Sequence, residues 1–287
     1  MITRIAAVCA AYGSDLRICQ DMVIRQIMLA RRQEVDLLVL PQACLGGHLC
    51  GLDAPRPAAG DDPGSPGLEV DGPELTGLIR LAGDVVVCLG CCERSVEGGM
   101  VRRYNSAVCL SADGVLGVHR KVHQPEGENC CAAGEGFAAF DTPVGRIGML
   151  IGYDKSFPEA ARALALDGAQ LIACLSAWPG HHPAPAGELA RDRSTRRFDL
   201  QDHARALENQ VVWASANQCG RFGSRYFVGR AKVIGPGGET LAETGAGPGV
   251  AMADVDVGGV VSTARRAMCH LADRRPECYA TAARLRG

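Results

Sequence analysis

The sequence has no apolar run of about 18 residues, the length that a membrane-spanning helix requires. Residues 1–10 hold too short an apolar stretch for a signal peptide and are more typical of a buried strand. A dense basic block is also missing from this chain of net charge −2, which argues against nucleic-acid binding. These absences predict a cytoplasmic protein whose partners are small molecules or proteins, with no nucleic acid and no membrane.

Lysine is scarce. Of the 30 Lys and Arg residues only three are lysines, namely Lys121, Lys155 and Lys232. A chain that otherwise uses Arg is expected to place Lys where an ammonium group is specifically needed. A desolvated lysine shifts its pKa readily and can polarise a carbonyl or form a Schiff base.

The sequence also lacks a second C-x-x-C pair to match Cys88 and Cys91, although it holds 14 cysteines. Structural zinc sites need four ligands, so an isolated pair inside an apolar segment favours core packing over metal or redox chemistry. Adjacent His181 and His182 lie in a Pro-rich stretch and point apart on a loop, which disfavours a metal site there. We therefore predict neither a metal nor a cofactor.

Hydrophobic periodicity predicts strands and helices that alternate in the first and third quarters of the chain, with meanders of strands between. Strands are predicted at residues 4–10, 36–40, 84–89, 104–110, 115–119, 137–141, 146–151, 170–175 and 210–216, and helices at 15–34, 73–81, 158–166 and 198–209. Residues 54–72, rich in Pro, Gly and Asp, predict a surface loop. This order is typical of one α/β domain over residues 1–287, with a mixed sheet covered by helices.

Three segments, in this order along the chain, resemble motifs of the nitrilase superfamily of carbon–nitrogen hydrolases. They are Leu38-Val-Leu-Pro41-Gln42, His119-Arg120-Lys121-Val-His123 and Ile151-Gly152-Tyr153-Asp154-Lys-Ser-Phe157-Pro158-Glu159. Weaker similarity continues through Ser176-Ala-Trp178 and residues 204–209, and so spans nearly the whole chain. The resemblance implies an α/β fold of four-layer αββα sandwich type, and a homodimer packed through helices near the third segment.

The resemblance also implies three catalytic positions, and two of them are altered here. In the family a Glu takes the proton of a Cys thiol, the thiolate attacks a nitrile or amide carbon, and a Lys stabilises the oxyanion. Gln42 stands where the Glu is expected and cannot act as a base, while Gly152 stands where the Cys is expected and has no nucleophile. Lys121 is the remaining member of this set.

Five further residues are candidates for substrate binding. The family often places a second Glu after the Lys, and the corresponding position here falls between Glu126 and Glu128. Tyr153 and Asp154 follow the vacant nucleophile position, and Trp178 lies in the Ser176-Ala-Trp178 segment. Polar residues, Lys155 among them, remain around the vacancy, and clustered ionisable groups are typical of a working site.

The preferred hypothesis is a non-thiol enzyme that acts on a small amide, carbamoyl or amidine-type metabolite through Lys121. One alternative is a non-catalytic homologue that binds a ligand or a partner subunit, and another is an inactivated variant of an ordinary amidase. Cys44, Cys130 and Cys131 are potential substitute thiols, but moving a nucleophile relative to a fixed oxyanion site loses alignment.

Overall fold

The structure is a computed structural model, and it describes residues 1–46, 67–125, 130–181 and 187–279. Within these ranges no helix combines the length and the apolar character needed to cross a membrane. The predicted loop at 54–72 lies largely outside the described residues; its last part is described, and Leu68 forms a bridge with Glu93.

Strands and helices alternate in parts of the described chain, and runs of consecutive strands separate these parts. The strands are β1 Thr3–Ala10, β2 Leu37–Val39, β3 Val86–Glu97, β4 Met100–Ser111, β5 Gly114–Arg120, β6 Phe140–Thr142, β7 Gly145–Ile151, β8 Leu171–Ser176, β9 Val212–Phe222, β10 Arg225–Val228, β11 Lys232–Ile234, β12 Thr240–Glu243 and β13 Gly249–Val255. The helices are α1 Leu16–Arg32, α2 Pro73–Ala82, α3 Pro158–Leu166, α4 Arg193–Asn209 and α5 Val257–Ala267. A 3-10 helix, Gly152–Ser156, follows β7 and is called the elbow below.

The strands form two mixed half-sheets in the order β5-β4-β3-β2-β1 and β9-β8-β7-β6. In the first, β1, β2 and β3 are parallel; in the second, β7, β8 and β9 are parallel. A short parallel pairing joins the halves, where Cys9 lies opposite Asn217 and Ala10 opposite Gln218. Strand β13 pairs with β1 on the first half-sheet.

Alternate residues of each strand supply different layers of the core, because successive side chains of a strand point to opposite faces. In β1, Ile5 and Ala7 face the second half-sheet, while Ala6 and Val8 face helices α1 and α2. Helices α3 and α4 cover the outer face of the second half-sheet. The result is the expected four-layer αββα sandwich.

Most predicted elements are confirmed, with differences at their ends. Helix α3 has the predicted bounds, and Gly168 follows it with a φ of +91°, the left-handed conformation that suits glycine at a helix end. Helix α4 begins five residues earlier than predicted, because the Asp192 side chain accepts the Ser194 N–H and caps it. The sequence patterns missed α5 entirely.

Candidate active site

The expected site residues follow strands that end at one edge of the sandwich. Gln42 lies after β2, Gly152 after β7 and Trp178 after β8, and these three strands run in the same direction. Lys121 directly follows β5, which is antiparallel to β4 and so runs with β3. Ligands of open α/β sheets bind outside the carboxyl ends of strands, so this edge is the natural place for a site.

Gln42 and Gly152 face each other directly. The Gln42 side chain is buried, and its Oε1 accepts a hydrogen bond of 3.2 Å from the Ala177 N–H. A Cβ built on Gly152 would lie 2.7 Å from this Oε1. Any side chain at residue 152 would therefore touch the carboxamide of Gln42, which is the contact expected between a nucleophile and its base.

Gly152 has a φ of +44°, a left-handed conformation that costs a residue with a Cβ about 1–2 kcal/mol. Strained backbone of this kind is commonly found at functional sites. Glycine here therefore avoids both the backbone strain and the close contact with Gln42 Oε1 that a Cβ would make.

The backbone around Gln42 is fixed by groups that sequence patterns did not identify. Its N–H donates to the Ser176 carbonyl at 3.3 Å, and its carbonyl accepts from Gln218 Nε2 at 3.1 Å. Gly90 packs under the same turn, since a Cβ there would lie 2.5 Å from the Ala43 nitrogen. These contacts set where the carboxamide points.

Lys121 is 1% exposed, although lysine is rarely buried fully. Its backbone N–H donates to the Asn105 carbonyl at 2.8 Å and its carbonyl accepts from the Gly134 N–H at 2.8 Å. The backbone of Lys121 is therefore held on both sides, by strand β4 and by the segment after residue 130.

The neighbouring Arg120 fixes the same strand from the opposite face. Its guanidinium donates to Glu93 through two nitrogens and to Glu97 through a third, and it lies 3.9 Å from the Tyr104 ring centroid. The hydrogen bonds that Arg120 donates to Glu93 raise the pKa of Arg120 above its ordinary value. Such bidentate pairs restrict geometry as well as adding energy, so they hold the end of β5 in place.

Asp154 ties the elbow to the Lys121 segment. Its Oδ2 lies 3.0 Å from His119 Nε2 and accepts from the Ile151 N–H, and its Oδ1 accepts from the His123 N–H at 2.9 Å and lies 3.0 Å from His123 Nδ1. Burial alone would raise the Asp154 pKa, but the hydrogen bonds from His119 and His123 outweigh it and the pKa is lowered. We infer a positioning role for this carboxylate, in place of the direct substrate binding predicted from the sequence.

Tyr153 belongs to the elbow, and Trp178 lies beside it, with its ring centroid 5.0 Å from the Lys155 ammonium. The Trp178 N–H donates to Asn217 Oδ1 at 2.8 Å, and its indole N–H donates to Ser194 Oγ at 2.9 Å, so its half-buried ring has a fixed orientation. Tyr153 is 37% exposed and packs edge-on against Phe157. Glu126, Glu128 and His182 lie outside the described residues.

Cys44, one of the potential substitute thiols, is not activated as a nucleophile. Cys44 is fully buried, its Sγ donates to the Gly90 carbonyl, and burial raises its pKa to about 12. A thiol acts as a nucleophile only as the thiolate, which Cys44 does not form near neutral pH. In the part of the chain that the structure describes, no group of three or more His, Cys, Asp or Glu side chains is arranged to hold a metal.

Lys155 departs from the sequence interpretation. It was expected among the polar residues around the vacancy, but its ammonium group is fully buried and bonds to Asp202 Oδ1 at 2.7 Å, under helix α4. The elbow turns successive side chains to different sides, so Lys155 points away from Gln42's side of the sheet. Arg205 and Asn209 have structural roles. Arg205 Nε donates to the Lys155 carbonyl, and Asn209 Nδ2 donates to the Arg205 carbonyl.

Comparison with known proteins finds hydrolases and amidases of similar sequence. A Pseudomonas protegens protein named "Hydrolase in pqqF 5'region" is 32% identical over 252 residues, which is 86% of this chain and 80% of that protein. The N-carbamoylputrescine amidase of Arabidopsis thaliana is 32% identical over 199 residues, 64% of each chain.

Solved structures of an amidase and of a carbon–nitrogen hydrolase resemble this chain. A Glu-to-Gln, Cys-to-Ala double mutant of an amidase from Nesterenkonia sp., in complex with acrylamide, is 25% identical with a TM-score of 0.75, covering 96% of this chain and 95% of that one. A carbon–nitrogen hydrolase from Helicobacter pylori superposes over 97% of both chains with a TM-score of 0.81 and 24% identity, which supports the fold. The sequence model of the carbon-nitrogen hydrolase family matches residues 4–265. This chain therefore belongs to the carbon–nitrogen hydrolase family.

Proposed function

We propose that this chain binds a small amide, carbamoyl or amidine-type compound beside Gly152 and acts on it without a thiol at that position. The observation that carries the proposal is the direct contact between positions 42 and 152, where a Cβ would lie 2.7 Å from Gln42 Oε1. Residues 42 and 152 thus face each other as a base and its nucleophile would, although Gln and Gly replace the expected Glu and Cys. The amide-cleaving relatives support the choice of ligand class.

Within this proposal Lys121 supplies the positive charge. Its ammonium group is withdrawn from water, where an electrostatic interaction with a developing oxyanion is stronger than in solvent. Asp154 ties the Lys121 segment to the elbow, and Arg120 ties it to strand β3. Lys121 would then donate to the ligand carbonyl, or to the equivalent atom of a carbamoyl group.

Gln42 limits the kind of reaction. Its Oε1 accepts a hydrogen bond from the Ala177 N–H. Because an N–H needs an acceptor, this bond fixes which end of the carboxamide faces Ala177, and Nε2 points away from Ala177 as a donor. A neutral carboxamide does not take a proton from water or from a thiol. Attack by water is therefore poorly assisted at this position.

The reaction that these groups favour is one in which the substrate supplies its own nucleophile. An amine of the substrate would form a bond to the carbonyl carbon, the original C–N bond would break, and ammonia would leave with the proton released by the attacking amine. A neutral amine attacks without prior deprotonation, unlike water, so the attack itself needs no carboxylate base, and the amine loses its proton to the departing ammonia afterwards. The attacking group would lie where Gly152 lacks a side chain.

The second candidate function is binding without turnover. The Nesterenkonia amidase, with Gln and Ala in place of its Glu and Cys, was solved in complex with acrylamide. By that precedent, a site with Gln42 and Gly152 retains the ability to bind an amide even if it has lost its chemistry.

Ammonia release separates these functions. We would assay ω-amides, N-carbamoyl compounds and amino-amides able to cyclise, with the unaltered chain, with Lys121→Met, and with the Gln42→Glu/Gly152→Cys double variant. Release from amino-amides alone, abolished by Lys121→Met, supports the proposed enzyme. Release by the double variant alone supports a binding function in an intact amide pocket. No release from any protein, together with no amide binding, would refute both.

We also propose a homodimer formed through α3 and α4, as the family resemblance implies. Both helices expose large apolar side chains beside the elbow, namely Leu166, Leu200 and Leu207 at 48%, 70% and 48%. Burying such side chains is the main source of stability in a homodimer interface.

A further inference from the structure

A buried cluster of charges lies behind the elbow, between α4 and the outer face of the second half-sheet. Lys155 and Lys232 are both fully buried, and both bond to the fully buried Asp202, at 2.7 Å and 3.3 Å. Lys232 also donates to Asp199 at 2.6 Å, and Trp213 Nε1 donates to Asp202 at 3.0 Å. Asp199 also accepts a hydrogen bond of 3.0 Å from Arg230, so three cationic side chains share the two carboxylates.

Aromatic rings line this cluster. The Lys155 ammonium lies 3.2 Å from the Phe198 ring centroid and 5.0 Å from that of Trp178, and the Lys232 ammonium lies 4.3 Å from Phe198. A cation over an aromatic face within about 6 Å is attracted to the ring, more strongly when water is excluded. The cluster is therefore satisfied by rings as well as by carboxylates.

The directions of the pKa shifts agree with this arrangement. Burial lowers the pKa of Lys155 in spite of the nearby Asp202. Burial alone would raise the pKa of Asp202, but Lys155 and Lys232 outweigh it, so the Asp202 pKa is lowered. The carboxylate thus stays ionised and depends on both cations.

General stability is a poor reason for such a cluster, because buried ion pairs are often no more stabilising than apolar residues of the same volume. What the cluster does provide is a fixed connection between parts of the site. Lys155 belongs to the elbow, its ammonium packs under Trp178, and Arg205 of the same α4 helix donates to the Lys155 carbonyl at 2.9 Å.

We propose that Lys155, Asp202 and Lys232 form an ionic lock that positions the elbow and Trp178 from behind the ligand pocket. These are positioning residues. Lys155 lies under α4 and Asp202 belongs to α4, and both are buried, so they act on the ligand only through Gly152 and the indole ring. The lock complements Asp154, which holds the elbow on the opposite side. Of the two measurements below, only ligand affinity rests on the proposed function, and hydrogen exchange does not.

The test is a charge-neutral double variant, Lys155→Met/Asp202→Asn, which leaves Lys232 paired with Asp199. The matched control is Arg4→Met/Asp254→Asn, which removes an ion pair of the same 2.7 Å length that joins β1 to β13. Hydrogen exchange is followed for residues 150–160 and, as an internal reference, for the β3–β4 hairpin. Propionamide affinity is measured by calorimetry on the same proteins.

We expect exchange at residues 150–160 to rise about tenfold in the lock variant alone, with the hairpin unchanged, and propionamide affinity to fall. An unchanged elbow, or an equal rise in elbow and hairpin, would overturn the lock. If the lock variant does not fold, Lys155→Arg, which keeps the charge but not the fit, is judged by the same criteria. Failure of the unaltered chain to bind propionamide would instead count against the proposed function and leave the exchange result to decide the lock.

Discussion

Replacing Asp154 with Asn should destabilise the protein strongly and in a pH-dependent way. The carboxylate receives hydrogen bonds from the Ile151 and His123 backbone N–H groups and pairs with the His119 and His123 rings, all at 2.9–3.3 Å and without exposure to water. An amide of the same shape keeps one acceptor oxygen but presents an NH₂ group to donors on the other side. The buried groups on that side are left without an acceptor.

The expected loss is about 3 kcal/mol, because hydrogen bonds to charged groups contribute about 1.5–3 kcal/mol each. For a chain of this size such a loss corresponds to a fall in melting temperature of roughly 6–12 °C. Since the folded pKa of Asp154 lies below its ordinary value of 3.8, its contribution is complete above that value and is lost as the pH falls below it. The difference in unfolding free energy between the unaltered protein and Asp154→Asn should therefore be largest near neutral pH and should narrow below about pH 4.

Denaturant unfolding at a series of pH values measures this gap. Asp141→Asn is the control, because the Asp141 carboxylate also forms an ion pair, with Arg146, but is 85% exposed, and such pairs contribute little. Equal losses of unfolding free energy for the two variants at neutral pH, or a difference for Asp154→Asn that does not begin to narrow as the pH falls below about 4, would refute the role assigned to Asp154.

Three further outcomes are expected. Gly152→Ala should cost about 1 kcal/mol in denaturant unfolding, because of its positive φ and the contact with Gln42, whereas Gly13→Ala should not, since nothing lies within 4 Å of its Cβ; equal effects would contradict the strained geometry. Cys44 should resist iodoacetamide in the native protein at pH 8, as judged by mass spectrometry, and modification as fast as in urea would contradict its high pKa. Leu200→Glu should convert a dimer to a monomer in light scattering, and an unchanged dimer would place the interface elsewhere.

The sequence was most informative where local chemistry repeats a known pattern. The segments ending in Gln42, Lys121 and Gly152 each follow a strand, and the structure brings their strand ends to one edge of the sandwich. The interpretation of Cys88 and Cys91 as packing residues agrees with the burial of both side chains in the core.

Side-chain direction was harder to predict than position. Lys155 stands three residues after Gly152, yet the tight 3-10 turn of the elbow sends its ammonium group under α4, to Asp202, 47 residues away in sequence. Its partners come from helix α4 and from the segment after β8, and no local pattern links them to the elbow. The scarcity of lysine was nevertheless a true signal, because all three lysines are fully buried.

The central claim is that Lys121 and the space beside Gly152 form an amide-binding site without a thiol. Calorimetric titration of the unaltered chain and of Lys121→Met with propionamide tests it most directly, with both proteins first shown to be folded by their unfolding curves. The account predicts saturable binding by the unaltered chain and a loss of about tenfold or more in affinity for Lys121→Met, equivalent to about 1.4 kcal/mol. Equal affinity in the two proteins, or no binding by the unaltered chain, would contradict it.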